Sequence, residues 1–102
     1  MRIMELKISD FAKQELEDAK FFYELEQRGL GRRFELELRN TINRIRKFPN
    51  AWPIERGEVR KCFVHKFPYK VLYSVQKQVI VVLAIAHQHR KPDYWIDRLN
   101  EI

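Results

Sequence analysis

The residues best suited to chemistry lie in one run, His87-Gln88-His89-Arg90-Lys91-Pro92-Asp93-Tyr94-Trp95-Ile96-Asp97-Arg98, directly after the most apolar stretch, Val79 to Ala86. Polar groups at the end of a buried strand are held on a rigid support and can be aimed at a target. Arg90, and Arg60 in an earlier strand, each flank an otherwise apolar segment. As guanidinium groups they can bind phosphate as two-point donors, or form an ordinary ion pair with Glu58, Asp93 or Asp97. His87 and His89 stand two apart, which on a strand puts them on one face, with Cys62 and His65 as distant candidate ligands. These spacings match no closed zinc motif, and nothing in the sequence implies a required metal or an organic cofactor. Cys62 reads as a small buried apolar residue. Tyr69 and Tyr73, four apart on a strand, can stack on bases or pack into the core, and Trp95 reads as a packing anchor for the segment after the last strand.

Something must position these groups. Residues 3–8 alternate as a short strand, and Ser9-Asp10 supplies acceptors for the start of a helix running to about Gln27. On that helix Ala12, Leu16, Ala19 and Tyr23 recur at helical spacing. Arg28-Gly29-Leu30-Gly31 reads as a turn. A second helix follows from about Arg32, with Phe34, Leu38, Thr41, Ile45 and Phe48 on one stripe until Pro49 stops it. So short a connection makes the two an antiparallel hairpin. The segment 49–57 reads as irregular, and β-favouring residues then predict strands near 59–65, 68–75 and 79–87, with Gln76-Lys77-Gln78 as the last turn. The expectation is one α+β domain over 1–102, in the order β-α-α-β-β-β, with the hairpin on one face of a four-stranded antiparallel sheet.

The chain has 20 Lys+Arg against 14 Asp+Glu, a formal net charge of +6. This favours an anionic partner such as nucleic acid, a phosphate-rich surface or an acidic protein. The basic excess lies after residue 27. Arg28, Arg32, Arg33, Arg39, Arg44, Arg46 and Lys47 form a basic run that can bind an acidic partner or simply face water. One cysteine, no apolar leader and no long apolar run predict a cytoplasmic protein with no membrane association.

Arg60, the Phe67-Pro68-Tyr69-x-x-x-Tyr73 pattern, the all-apolar strand and the closing His87-x-x-Arg90-x-Pro92-x-Tyr94-Trp95-x-x-Arg98 together resemble the RelE/ParE superfamily of type II toxins. The resemblance covers essentially the whole chain. It implies a growth-inhibiting toxin, of the kind called plasmid stabilisation proteins, neutralised by a cognate antitoxin. The antitoxin is expected to lay an acidic, apolar segment beside the helical hairpin at Phe22, Phe34 and Leu38. ParE-like members inhibit DNA gyrase, whereas RelE-like members cleave messenger RNA on the ribosome. For cleavage without metal, Arg60 and Arg90 would stabilise phosphate charge while His87 and Tyr94 moved protons. Lys61, Lys70, Tyr73, His89, Lys91 and Arg98 are the expected contacts to target or nucleic acid. The sequence departs from the RelE-like pattern: it ends Leu99-Asn100-Glu101-Ile102 rather than in a catalytic His or Tyr, and its middle strands add only Lys61, Lys66 and Lys70 to Arg60. Those departures put gyrase inhibition ahead of RNA cleavage, with a nontoxic nucleic-acid-binding or interaction module as a third reading.

Overall fold

The computed structural model describes residues 4–101, the last two as backbone only. Ile3, expected to open the first strand, lies outside the described residues. The order is β1 (Glu5–Ile8), α1 (Asp10–Glu26), α2 (Leu30–Lys47), β2 (Ile54–Arg56), β3 (Val59–Phe63), β4 (Tyr69–Gln76), β5 (Val79–His87) and a closing 3-10 turn, Ile96–Glu101. The α+β class and the hairpin-then-meander order agree with the expectation from sequence.

Three details correct that expectation. The described sheet has five strands, in the order β1-β5-β4-β3-β2. The segment taken as irregular contains β2, three residues long and paired antiparallel to β3. The sheet is mixed rather than antiparallel, because the helical hairpin carries the chain over the sheet and returns β1 as the parallel neighbour of β5. Helix α2 also begins at Leu30, two residues before Arg32.

Local chemistry accounts for the boundaries. The Ser9 hydroxyl accepts from the Ala12 amide at 3.1 Å and caps α1. Gly29 has φ +87°, the left-handed backbone needed to reverse the chain between the helices. Gly31 then lies so close to α1 that an added Cβ would meet the Lys20 carbonyl at 2.6 Å. Glu24 completes the junction by accepting from the amides of Gly29 (2.9 Å) and Gly31 (3.1 Å) at the start of α2. Between β4 and β5 the loop shrinks to Lys77-Gln78, with φ +48° and +68°, as a two-residue primed hairpin turn requires.

Both faces of the sheet are covered. The helices bury Tyr23, Phe34, Leu38 and Ile45 against Cys62, Val71, Tyr73, Ile80, Val82 and Ile85. The opposite face packs Val59, Leu72, Leu83, Ala84 and Ala86 under Trp95. Hence β5 is apolar from Val79 to Ala86: it has a layer above and below, and a strand on each side as far as Val82. A slip in the β4–β5 register, Leu72 facing Ala84 but Tyr73 facing Val82, inserts Leu83 as a bulge in β5.

The Gly31 contact carries a prediction. Gly31→Ala should destabilise the chain by about 1–3 kcal/mol, since the obstacle is backbone and the hairpin must open to admit a methyl. Urea unfolding measures this, and a change below about 0.5 kcal/mol would show that the helices do not approach this closely.

Candidate functional surface at the end of the inner strand

Strand β1 ends at Ile8, opposite Val82, whereas β5 continues to His87. Past Val82 one edge of β5 therefore has no neighbouring strand, and its backbone groups need other partners. Side chains supply them. The Ile85 amide donates to Glu15 Oε1 at 3.0 Å. The Leu83 carbonyl accepts from Arg98 Nη1 at 3.1 Å and from the Ser9 hydroxyl at 3.3 Å. Glu15 further accepts from the Tyr94 hydroxyl at 2.6 Å and from Arg98 Nη1 and Nη2 at 2.8 and 3.3 Å. One carboxylate thus ties α1, the bare edge of β5 and the C-terminal segment together.

Around this tie the guanidinium of Arg90 lies 4.0 Å from the centroid of the Tyr94 ring, and that of Arg98 lies 4.9 Å from the same ring. Burial first, then the hydrogen bond to Glu15, push the Tyr94 phenol far above its ordinary value. Tyr94 keeps its proton at neutral pH and donates it in the hydrogen bond to Glu15. His87 faces the helices, with its ring 5.1 Å from that of Tyr69, and its Nδ1 accepts from the His89 amide at 3.1 Å. A shallow pocket of about 240 Å³ opens here between α1 and β5, lined by Asp18, Phe22, Tyr69, His87 and Arg90 among others. His89, Arg90 and Lys91 are exposed, and Arg90 lines the pocket.

The other expected site residues lie elsewhere. Arg60 pairs across the sheet with Tyr73, and Tyr73 with Val82, whereas His87 pairs with Tyr69. Four residues of β4 separate the two rows, roughly 13 Å along the strand, so Arg60 does not join His87 and Arg90 in one centre. Instead Arg60 donates to the Trp52 carbonyl at 2.7 Å and Tyr73 to the Pro49 carbonyl at 2.6 Å. Both hold the loop after α2 against the sheet. Tyr73 is fully buried, and burial raises its phenol to about 12, so it offers no stacking surface.

Lys61 and Lys70 sit on the face away from the helices and share Glu55, at 3.5 and 3.0 Å. Burial alone would raise the Glu55 carboxyl, but the hydrogen bond from Lys70 and the charges of both lysines outweigh it and hold the group below its ordinary value. Arg98, expected to contact a target, is committed to Glu15. Phe34 and Leu38 are 0% and 2% exposed, which corrects their expected role in antitoxin contact: the single apolar stripe of α2 is used by the core. Phe22 is about half exposed and remains available. Cys62 is buried, and burial raises its thiol. Among the described residues no three His, Cys, Asp or Glu side chains are grouped to hold a metal ion.

Sequence reasoning missed Glu15 and Glu55. For Glu15 a signal existed. It falls between Ala12, Leu16 and Ala19 on the core-facing stripe of α1, and an acid there implies a partner across the interface. Nothing local marks Glu55, whose two lysines arrive from β3 and β4.

Two outcomes follow from these contacts. Glu15→Ala should lose about 2–4 kcal/mol in urea unfolding, since it leaves the Ile85 amide without its acceptor and the Arg98 guanidinium without its carboxylate, while Glu15→Ala combined with Arg98→Met should lose less than the sum of the two single changes. Strict additivity would contradict the shared network. For Glu55 the folded pKa is depressed, so its contribution is present above the unfolded value near 4.3 and vanishes as pH falls through the folded value. The stability gap between wild type and Glu55→Gln should therefore be widest near pH 6–7 and shrink below about pH 4. A gap that is constant with pH would refute the pairing.

Comparison with known proteins agrees with the architecture. The family described as "ParE toxin of type II toxin-antitoxin system, parDE" matches residues 6–92. Among solved structures, a chain of the chromosomal ParDE toxin-antitoxin system from P. aeruginosa superposes with a TM-score of 0.75 at 18% identity, covering 83% of this chain and 96% of that one. No curated protein matches the sequence. Strand, helical hairpin, meander and a match over most of its length make this chain a member of the ParE toxin family of type II toxin-antitoxin systems.

Proposed function

We propose that this toxin acts by binding a protein target, DNA gyrase, rather than by cutting RNA, and that a cognate antitoxin silences it by covering the surface around Phe22. The observation that carries the reading is the dispersal of the groups cleavage would need. Metal-free cleavage requires a base, an acid and a phosphate-stabilising cation within reach of one scissile bond. Here Arg60 is bound to the Trp52 carbonyl, four rows from the pairing level of His87. The Tyr94 phenol and the Arg98 guanidinium are both engaged by Glu15. What remains at the surface is the exposed set His89, Arg90 and Lys91 on a rigid support, which suits docking on an anionic patch of a protein.

The antitoxin follows from membership in a two-component system, and an acidic segment fits the basic excess. Among the described residues no helix is long and apolar enough to cross a membrane.

Induced expression of the chain alone should arrest growth, and co-expression of a small acidic protein encoded beside it should restore growth. Purified toxin should inhibit DNA supercoiling by gyrase, with Arg90→Ala plus Lys91→Ala raising the inhibitory concentration by about tenfold or more. Unaffected gyrase together with cut messenger RNA on ribosomes would overturn the proposal in favour of the nuclease reading. Normal growth at confirmed soluble expression would overturn both.

A further inference from the structure

The outward face of the helical hairpin carries apolar groups that neither core uses. Phe21 is 67% exposed, Leu25 72% and Leu36 48%. Phe21 and Arg32 line the same shallow depression over the junction of the helices, with Glu17 and Glu24. Large apolar side chains clustered this way mark a contact surface. Charge on this face is divided between the helices. On α1 the outward positions include Asp10 and Glu17, and on α2 they include Arg32, Arg39 and Lys47, none of which has an ion-pair partner within 4.0 Å among the described residues except Glu17, which lies 3.6 Å from Lys20. Each hairpin thus presents an acidic half beside a basic half, with apolar groups between them.

We infer that this face binds a second copy of the same chain, α1 of each copy lying on α2 of the other. Two twofold arrangements could bring such faces together. An axis across the helices would set α1 on α1, acid against acid, and α2 on α2, base against base. An axis along the helices sets α1 on α2 in both halves, so charge selects the second.

Rotation about an axis parallel to the helices leaves every residue at its own height, which fixes the register. Within one hairpin Lys20 is level with Glu35, 2.9 Å apart, and Glu24 with Gly31, 3.1 Å apart. Extending those levels along two antiparallel helices of 1.5 Å rise per residue sets Phe21 near Leu36, Glu17 near Arg39 and Asp10 near Lys47 of the other copy. Apolar meets apolar and acid meets base within two residues, about 3 Å, of the same height. Two helices of 17 and 18 residues offer a face roughly 26 Å long, which buries an area at the lower end for a specific interface. The dimer should therefore have a dissociation constant on the order of micromolar and weaken with salt.

Sedimentation velocity of the purified chain across the micromolar range, in low salt and in 0.5 M salt, tests this. The wild type should dimerise, and Phe21→Asp should abolish the dimer. Glu17→Arg and Arg39→Glu should each raise the dissociation constant by about tenfold, because the symmetry repeats every contact. The double reversal, Glu17→Arg with Arg39→Glu, should return to within about threefold of wild type, which separates a lost contact from a lost fold. A wild type that stays monomeric throughout overturns the inference, and Phe21 would then face some other partner such as the antitoxin. Single reversals that leave the dimer unchanged, or a double reversal that fails to restore it, overturn the pairing.

Discussion

A strand longer than its neighbour leaves backbone donors and acceptors bare, and the candidate functional surface of this protein is organised by how that is solved. Strand β5 passes the end of β1 at Val82 and runs on to His87. A buried amide without a partner costs about 1–3 kcal/mol, and an open edge invites pairing with another chain. The Glu15 carboxylate meets the Ile85 amide, and the same two oxygens hold the Tyr94 hydroxyl and the Arg98 guanidinium. Through these contacts α1 reaches across the strand edge and fixes the segment that returns over the other face. Trp95 can then close the second core. The Leu83 bulge belongs to the same arrangement, since its carbonyl accepts from Arg98 Nη1 and from the Ser9 hydroxyl.

The consequence for function is a division between cations that build and cations that face outward. Arg60, Lys61, Lys70 and Arg98 are each bound to a carbonyl or a carboxylate of the fold. His89, Arg90 and Lys91 follow β5 directly and are exposed, on a segment held from both sides. A toxin that works by occupying a surface of its target needs such a rigid, charged prow and needs no convergent acid and base. The outer face of the hairpin is a separate surface. Phe21 points away from the sheet, whereas Phe22 lines the pocket beside His87. An antitoxin near Phe22 and a second copy at Phe21 would therefore approach from different sides of α1.

Much of this architecture was legible in the sequence because it repeats at short range. The stripes Ala12-Leu16-Ala19-Tyr23 and Phe34-Leu38-Thr41-Ile45, the Gly29 turn and the alternation of β4 define elements within a window of a few turns. What escaped depends on contacts between distant residues. Three residues flanked by Pro53 and Gly57 carry no strand signal, and Ile54–Arg56 becomes β2 only because β3 offers an edge. The parallel partner of β1 is set by the path of the helical hairpin, to which a four-residue strand is blind. Site residues fared worse for the same reason. Arg60, Tyr73 and Arg98 have the types that chemistry uses, and their types do not reveal that Trp52, Pro49 and Glu15 engage them. Phe34 and Leu38 show the converse, since one stripe cannot serve both the core and a partner.

The claim on which the rest depends is that the Glu15 carboxylate holds the Ile85 amide on the free edge of β5, and amide hydrogen exchange at Ile85 measures it most directly. In the wild type this amide should exchange as slowly as its paired neighbours in the strand, while in Glu15→Ala it should speed up by orders of magnitude at a pH and temperature where Val71 and Ile80 stay protected. Fast exchange at Ile85 in the wild type, or unchanged protection once the carboxylate is gone, would contradict the account.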